Sequence, residues 1–200
     1  PGRGKHPRPI QALNEADAME LAALIARCRQ GDPLAWEVLV RRYQSRVLAI
    51  ADAYVGDREE ARDLAQEIFL RVWRNLDACR EVERFEAWLV RIARNASLDA
   101  LRRRQARPPR QDLPVESAHA LADPGPGADA RWQDDARRRL LLRALDELSP
   151  LNRELIILKE MQDLPLEEIA ELLQVPLGTV KSRASRARLE LARALRELGG

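Results

Sequence analysis

Six side chains close to the end of the chain share the chemistry of nucleic-acid recognition: Lys181, Ser182, Arg183, Ser185, Arg186 and Arg188. Ammonium and guanidinium groups neutralise phosphate, and guanidinium and hydroxyl groups reach base edges in a major groove. Val180, Ala184, Ala187 and Leu191 recur at i, i+4, i+7 and i+11, one narrow apolar stripe on a helix. Ser182, Ser185 and Arg186 then point most directly away from that stripe, toward base edges. Lys181, Arg183 and Arg188 flank them and suit phosphate. A second set, Arg91, Asn95, Asp99, Arg102 and Arg103, continues along the side of a helix begun by Trp88 and Ile92. Its carboxamide and guanidinium groups can read bases or hold phosphate, whereas Trp88 reads as core. A third set, Asp63, Gln66 and Glu67, shares one helix face beside apolar Phe69. By itself it is either an ordinary solvated face or a docking patch for a partner with a basic helix. There is no Gly-rich phosphate loop, no His/Cys cluster and no nucleophile beside a base, so the residues favour no enzyme and offer no catalytic group.

These sets need helices to position them. Leu166–Leu173 reads as a short amphipathic helix with Ile169, Ala170 and Leu173 inward, 174–178 as a turn, and Thr179–Arg196 as a long helix. Together they make a helix-turn-helix. Upstream, Leu140, Leu141, Ala144, Leu145 and Leu148 mark one helix, and Ser149-Pro150 restarts the chain with Ser as cap. The first helical block opens with Met19, Leu21, Leu24 and Ile25. Asp32-Pro33 caps and starts the next helix, with a stripe from Trp36 to Tyr54, and Gly56-Asp57 ends that helix and caps another. Ala61, Leu64, Ile68, Val72 and Leu76 form its stripe; Phe85, Trp88, Leu89, Ile92, Ala96 and Leu101 form the last. Between the blocks, Pro108, Pro109, Pro114, Pro124 and Pro126 with Gly125 and Gly127 read as a linker. The expected fold is all-α: an N-terminal helical bundle and a C-terminal helix-turn-helix domain joined by a flexible Pro-rich acidic linker. The expected divisions are a disordered tail at 1–15, the bundle at 16–107, the linker at 108–131 and the second domain at 132–200.

The 200 residues are 46% hydrophobic and rich in Ala, Leu, Arg and Glu, which supports helices and a core. Net charge is only +2, but its distribution is uneven. Arginines crowd 91–110, Lys and Arg crowd 176–196, and Asp112, Glu116, Asp123, Asp129, Asp134 and Asp135 lie between. Two basic poles around an acidic middle fit two separate nucleic-acid contacts. Cys28 and Cys79 are far apart, with no metal spacing, and fit a reducing compartment. His6 and His119 have no partner ligands in sequence, so no metal and no cofactor are expected. No apolar run suits a membrane span or a signal peptide, and the expected location is cytoplasmic.

At this point the residues resemble the extracytoplasmic-function (ECF) group of bacterial sigma factors, the minimal two-domain type. The first block carries Asp63-Leu64-Ala65-Gln66-Glu67-Ile68-Phe69 followed by Trp73, and Phe85-Glu86-Ala87-Trp88-Leu89-Val90-Arg91-Ile92-Ala93-Arg94-Asn95 followed by Asp99 and Arg102. The second carries Leu148-Ser149-Pro150, Glu168-Ile169-Ala170 and Gly178-Thr179-Val180-Lys181-Ser182-Arg183, then Arg186-Ala187-Arg188. The resemblance implies a factor that binds core RNA polymerase and directs it to promoters. Asp63, Gln66, Glu67 and Phe69 would dock on a coiled coil of the polymerase's largest subunit, and the flap region would be a second contact. Arg91, Asn95, Asp99, Arg102 and Arg103, with the loop Asp77–Arg84, would bind and open the −10 element, flipping a base into a pocket beside that loop. Lys181, Ser182, Arg183, Ser185, Arg186 and Arg188 would read the −35 duplex. The linker would enter the polymerase's active-centre cleft, or be a plain tether. The resemblance also implies stress-responsive control by an anti-sigma protein, a free monomer and no direct membrane insertion. A helix-turn-helix regulator acting without polymerase, and a protein-binding adaptor, are the competing readings of the bare residues.

Overall fold

The computed structural model describes residues 15–106 and 128–199, and among these the secondary structure is helical, with no strand. The expected tail up to Asn14, both histidines and most of the expected linker lie outside the described residues. Four helices form the first unit: α1 (Glu15–Arg29), α2 (Pro33–Val55), α3 (Arg58–Arg74) and α4 (Phe85–Ala106). Four more form the second: α5 (Ala128–Asp146), α6 (Pro150–Leu155), α7 (Leu166–Leu173) and α8 (Leu177–Gly199).

Local chemistry sets the boundaries. The Asp32 carboxylate accepts from the Leu34 and Ala35 N–H groups at 2.9 and 3.2 Å, and Pro33 stands at the first helical position of α2. Arg27 pairs with the same carboxylate at 2.7 Å. Gly56 ends α2 at φ +77°, a left-handed conformation that a side chain would strain. Asp57 then caps α3, accepting from Glu59 and Glu60 N–H groups at 2.9 Å. One expectation shifts. Ser149 stands at the cap position of α6, but its hydroxyl bonds no N–H, so Pro150 is the operative start signal. Of the residues that open the first block, Leu21, Leu24 and Ile25 are buried and Met19 is exposed.

The core of the first unit is the meeting of α2, α3 and α4, with α1 laid against α2. α3 contributes Ala61, Leu64, Ile68 and Val72; α4 contributes Phe85, Leu89, Val90, Ala93 and Ala96. Burying each of the larger side chains stabilises the fold by about 1.5–3 kcal/mol. Ile92 and Leu101, expected inward, are only half-buried, because Val90, Ala93 and Ser97 occupy the centre of the face. Ser97 satisfies its hydroxyl by donating to the Ala93 carbonyl at 2.8 Å. A buried ion pair, Arg46 to Glu86 at 2.5 Å, joins α2 to the start of α4, and the Tyr43 hydroxyl donates to the same carboxylate at 3.2 Å.

In the second unit α5, α6 and α7 all pack on α8. α5 begins at Ala128, so the last residues of the expected linker are helical, and α8 begins two residues earlier than Thr179. After α6 the helix widens into a π-helical turn over Ile156–Met161, which ends as Gln162 N–H bonds the Ile157 carbonyl. Gln174 closes α7 in the left-handed conformation at φ +55°, its N–H reaching the Ala170 and Glu171 carbonyls.

The two units touch along a polar seam. Arg94 of α4 meets Glu154 of α6 through two bonds of 2.9 and 2.8 Å, and the Tyr54 hydroxyl adds a third at 3.3 Å. Arg138 of α5 pairs with Asp52 and donates to the Gly56 carbonyl. Arg153 donates to the Ala53 carbonyl at 2.7 Å while pairing with Asp146 at 2.6 Å. Arginines of the second unit thus satisfy carbonyls at the C-terminal end of α2, where the helix dipole favours positive charge.

Candidate nucleic-acid and partner interfaces

On α8, Val180, Ala184 and Ala187 are buried and Leu191 is half-buried, which turns the opposite face outward. Lys181, Ser182, Ser185, Arg186 and Arg188 are exposed; Arg183 is half-buried. The Ser182 hydroxyl donates to the Thr179 carbonyl at 3.1 Å, keeping its lone pairs available to an outside donor. Arg188 lies 3.7 Å from Glu160, a bond through which the π-helical turn holds it to one flank. Leu189 is 71% exposed on the same side of the helix. The small Ala184 and Ala187 let α8 sit close on its supporting helices, so the exposed residues ride on a rigid platform.

On α3, Asp63 and Gln66 are exposed and Glu67 is half-buried. Phe69, expected beside them as the apolar contact, is half-buried against Trp36, with ring centroids 6.3 Å apart and edges to faces. Leu70 takes its place on the outer face at 55% exposure, and Trp73, 41% exposed, follows one turn on, stacked edgewise on Trp36 at 4.8 Å. Leu70 is seven residues from Asp63 and three from Glu67, so helical spacing alone could have found it. The face therefore combines acid, amide and large apolar groups.

On α4 the five expected residues share one side but divide between two surroundings. Arg91 and Asn95 line an open cleft of about 440 Å³ together with Trp88 and the loop residues Cys79, Arg80, Glu81 and Arg84. Its far wall comes from the second unit, through Leu164, Glu168, Glu171, Leu172 and Gln174. Arg84 and Glu171 approach across it at 3.6 Å. Trp88 is core, as expected, at 9% exposure, leaning on Phe85 at 5.7 Å, with one edge in the cleft. Burial raises the Glu168 carboxyl above its usual range, Arg84 opposing and Glu171 adding to the effect. One of the Glu168 oxygens is buried without a partner.

Asp99, Arg102 and Arg103 instead join an ionic chain with α3. Arg71 bridges Glu67 at 2.6 Å and Asp99 at 3.0 Å; Arg103 reaches Glu67 at 3.0 Å, and Arg102 lies 3.5 Å from Asp99. Burial works to raise the Glu67 carboxyl, but the bonds from Arg71 and Arg103 outweigh it and hold the group below its usual range. Arg71 lies outside the expected set; Glu67 precedes it by four residues, a spacing the sequence does show, but its bond to Asp99 on α4 leaves no local pattern in sequence. The same holds for Arg94 at the seam.

Both thiols, Cys28 and Cys79, are free and buried, and burial pushes each above the usual thiol range. Among the described residues no cluster of His, Cys, Asp and Glu is fit to hold a metal ion, and no helix is long and apolar enough to cross a membrane.

Residues 39–107 match the family model for Sigma-70 region 2, and residues 138–191 match that for Sigma-70, region 4. The chain is 35% identical over 181 residues to the RNA polymerase sigma-H factor of Pseudomonas aeruginosa, covering 88% of this chain and 93% of that one. It is 34% identical over 171 residues to the ECF RNA polymerase sigma-E factor of Escherichia coli K12, covering 82% and 88%. Among solved structures, CnrH in complex with the cytosolic domain of CnrY superposes with a TM-score of 0.63 at 25% identity, covering 92% of this chain and 99% of that one. The sigma factor RpoE of Bartonella quintana, solved with the anti-sigma factor NepR, shares the fold with a TM-score of 0.58 at 24% identity, over 80% and 96%. With both regions matched in order and relatives aligned along most of their length, the chain belongs to the sigma-70 family, in its extracytoplasmic-function group, and is a sigma factor of RNA polymerase.

Proposed function

We propose that the three faces divide the work of promoter-specific initiation as follows. The outer face of α3, with Asp63, Gln66 and Glu67 and the apolar Leu70 and Trp73, docks on the coiled coil of core polymerase's largest subunit; Phe69 supports it from beneath. The second unit also meets the flap region. Arg91, Asn95, Asp99, Arg102 and Arg103, with the loop 77–84, hold the opened −10 strand. Ser182, Ser185 and Arg186 read −35 base edges, while Lys181, Arg183 and Arg188 hold phosphate. Strand opening is driven by binding energy, the cost of unstacking being offset by contacts made only to the opened strand. The protein is then no enzyme, works in the cytoplasm, is monomeric when free, and answers to stress through an anti-sigma protein of the kind bound to the Bartonella quintana factor.

One observation carries this reading: α8 presents Ser182, Ser185 and Arg186 outward on a face backed by buried Val180, Ala184 and Ala187, the arrangement a major groove requires. Titrating the labelled protein with core polymerase, and then with duplex and opened promoter fragments, tests it. Tight polymerase binding followed by capture of the opened strand is expected. Sequence-specific duplex binding with no affinity for polymerase would favour a stand-alone regulator.

A further inference from the structure

The segment joining α3 to α4 has only short-range internal bonds, among them the Cys79 thiol to the Glu81 carbonyl at 3.6 Å. It contains two single 3₁₀ turns, Leu76–Ala78 and Val82–Arg84, and neither has a side-chain cap. Its exposed Arg80, Glu81 and Arg84, with the buried Cys79, form one wall of the cleft that also holds Trp88, Arg91 and Asn95. What fixes the backbone comes from behind. Arg29, the last residue of α1, donates through one terminal nitrogen to the Leu76 carbonyl at 3.3 Å and to the Cys79 carbonyl. Its Nε lies 3.8 Å from the Asp77 carboxylate. α1 itself packs behind both turns. One guanidinium thus holds three positions of the first turn and its end, Leu76, Asp77 and Cys79. The family match begins at residue 39, so it does not include Arg29.

We infer that Arg29 is a positioning residue for strand recognition: it pins the loop so that the cleft wall is already formed when the −10 strand arrives. The inference rests on the proposed role of the cleft. A loop held in its bound shape has less conformational freedom to lose on binding, and the saving appears as affinity and as discrimination between bases. Charge-assisted bonds to carbonyls are the stronger kind, and a forked guanidinium can serve two carbonyls and a carboxylate at once. A lysine offers a single point charge, so Arg29→Lys keeps the charge and loses the fork.

The test compares wild-type, Arg29→Gln and Arg29→Lys chains, each with core polymerase, on one promoter library randomised over both elements and read by sequencing transcripts. In parallel, mass spectrometry follows labelling of Cys28 and Cys79 in the free proteins by a soluble thiol reagent. Arg29→Gln is expected to keep the −35 preference and polymerase binding, and to lose about tenfold on the best −10 sequences, the scale of one hydrogen bond to a charged group. Preference at −10 positions should flatten. Cys79, only 3% exposed, should label about tenfold faster, by the same loss, while Cys28 stays protected. Arg29→Lys should fall between. Unchanged −10 preference and unchanged Cys79 labelling would overturn the inference. So would an equal loss at both elements with a lowered Tm and exposed Cys28, which would make Arg29 a general staple of the fold. If the wild-type chain yields no polymerase-dependent start sites, the functional reading fails first, and the inference falls with it.

Discussion

Arg94 and Glu154, sixty positions apart, face each other as a two-bonded fork across the seam between the units, both side chains 15% exposed. Tyr54 supports the pair from α2, and burial pushes its phenol well above the usual range, so it stays a donor at all ordinary pH. The seam lies beside the cleft that holds Arg91 and Asn95, whose far wall belongs to the second unit. The first prediction concerns this fork. Glu154→Gln leaves Arg94 without its anion and should weaken the seam by about 1.5–3 kcal/mol, the range for bonds to charged groups. Small-angle scattering should report a larger radius of gyration, and a radius equal to wild type would show that Arg138 and Arg153 suffice.

Glu168 gives a pH-dependent prediction. Its pKa is raised in the folded chain, chiefly by burial. The protonated form is therefore the one folding favours: the contribution is complete below the ordinary carboxylate range and is lost as pH rises through the raised value. Above that value the ionised carboxylate, one oxygen of which is buried without a partner, weighs against the folded form. Glu168→Gln should raise the urea midpoint at pH 7, and the gain should shrink as pH falls toward the ordinary carboxylate range. A gain independent of pH would contradict the assignment.

Helix ends and core stripes were legible because their causes are local. Gly31-Asp32-Pro33 brings left-handed glycine, cap and first-turn proline into three adjacent positions, Gly56-Asp57 brings glycine and cap into two, and the stripe from Ala61 to Val72 has the helical period. The exposed chemistry of α8 followed from the same arithmetic. Spacing places Leu70 beside Glu67, but the sequence does not show that Phe69, the larger apolar residue next to it, is covered, because Trp36, which covers it, lies on another helix. Arg71, Arg94 and Arg29 were invisible for a stronger reason. Arg94 and Arg29 act through partners distant in sequence or through backbone carbonyls, which leave no mark in composition or periodicity; Arg71 has a local partner in Glu67, but its link to Asp99 is equally unmarked. Ser149 shows the converse: the residue type suits a cap, but the hydroxyl is not used.

Leu70 offers a direct test of the α3 face. Leu70→Asp should reduce affinity for core polymerase about tenfold or more, as expected for an apolar anchor in an interface. Because Leu70 is exposed, stability should change by no more than about 0.5 kcal/mol. Full affinity retained would place the docking surface elsewhere.

Arg186 carries the corresponding prediction for α8. Arg186→Ala should cost about 1–3 kcal/mol on the preferred −35 duplex and relax discrimination at one position, while polymerase affinity is unchanged. A uniform loss on all duplexes, with a shallower salt dependence, would make Arg186 a phosphate contact instead.

The central claim is that this chain gives polymerase its promoter choice, and run-off transcription by purified core polymerase on a promoter library, with and without the protein, tests it most directly. Discrete start sites that arise only when the protein is present, sharing sequences at both upstream elements, are the predicted result. Transcription with no new start sites, from a protein shown to be folded, would contradict it.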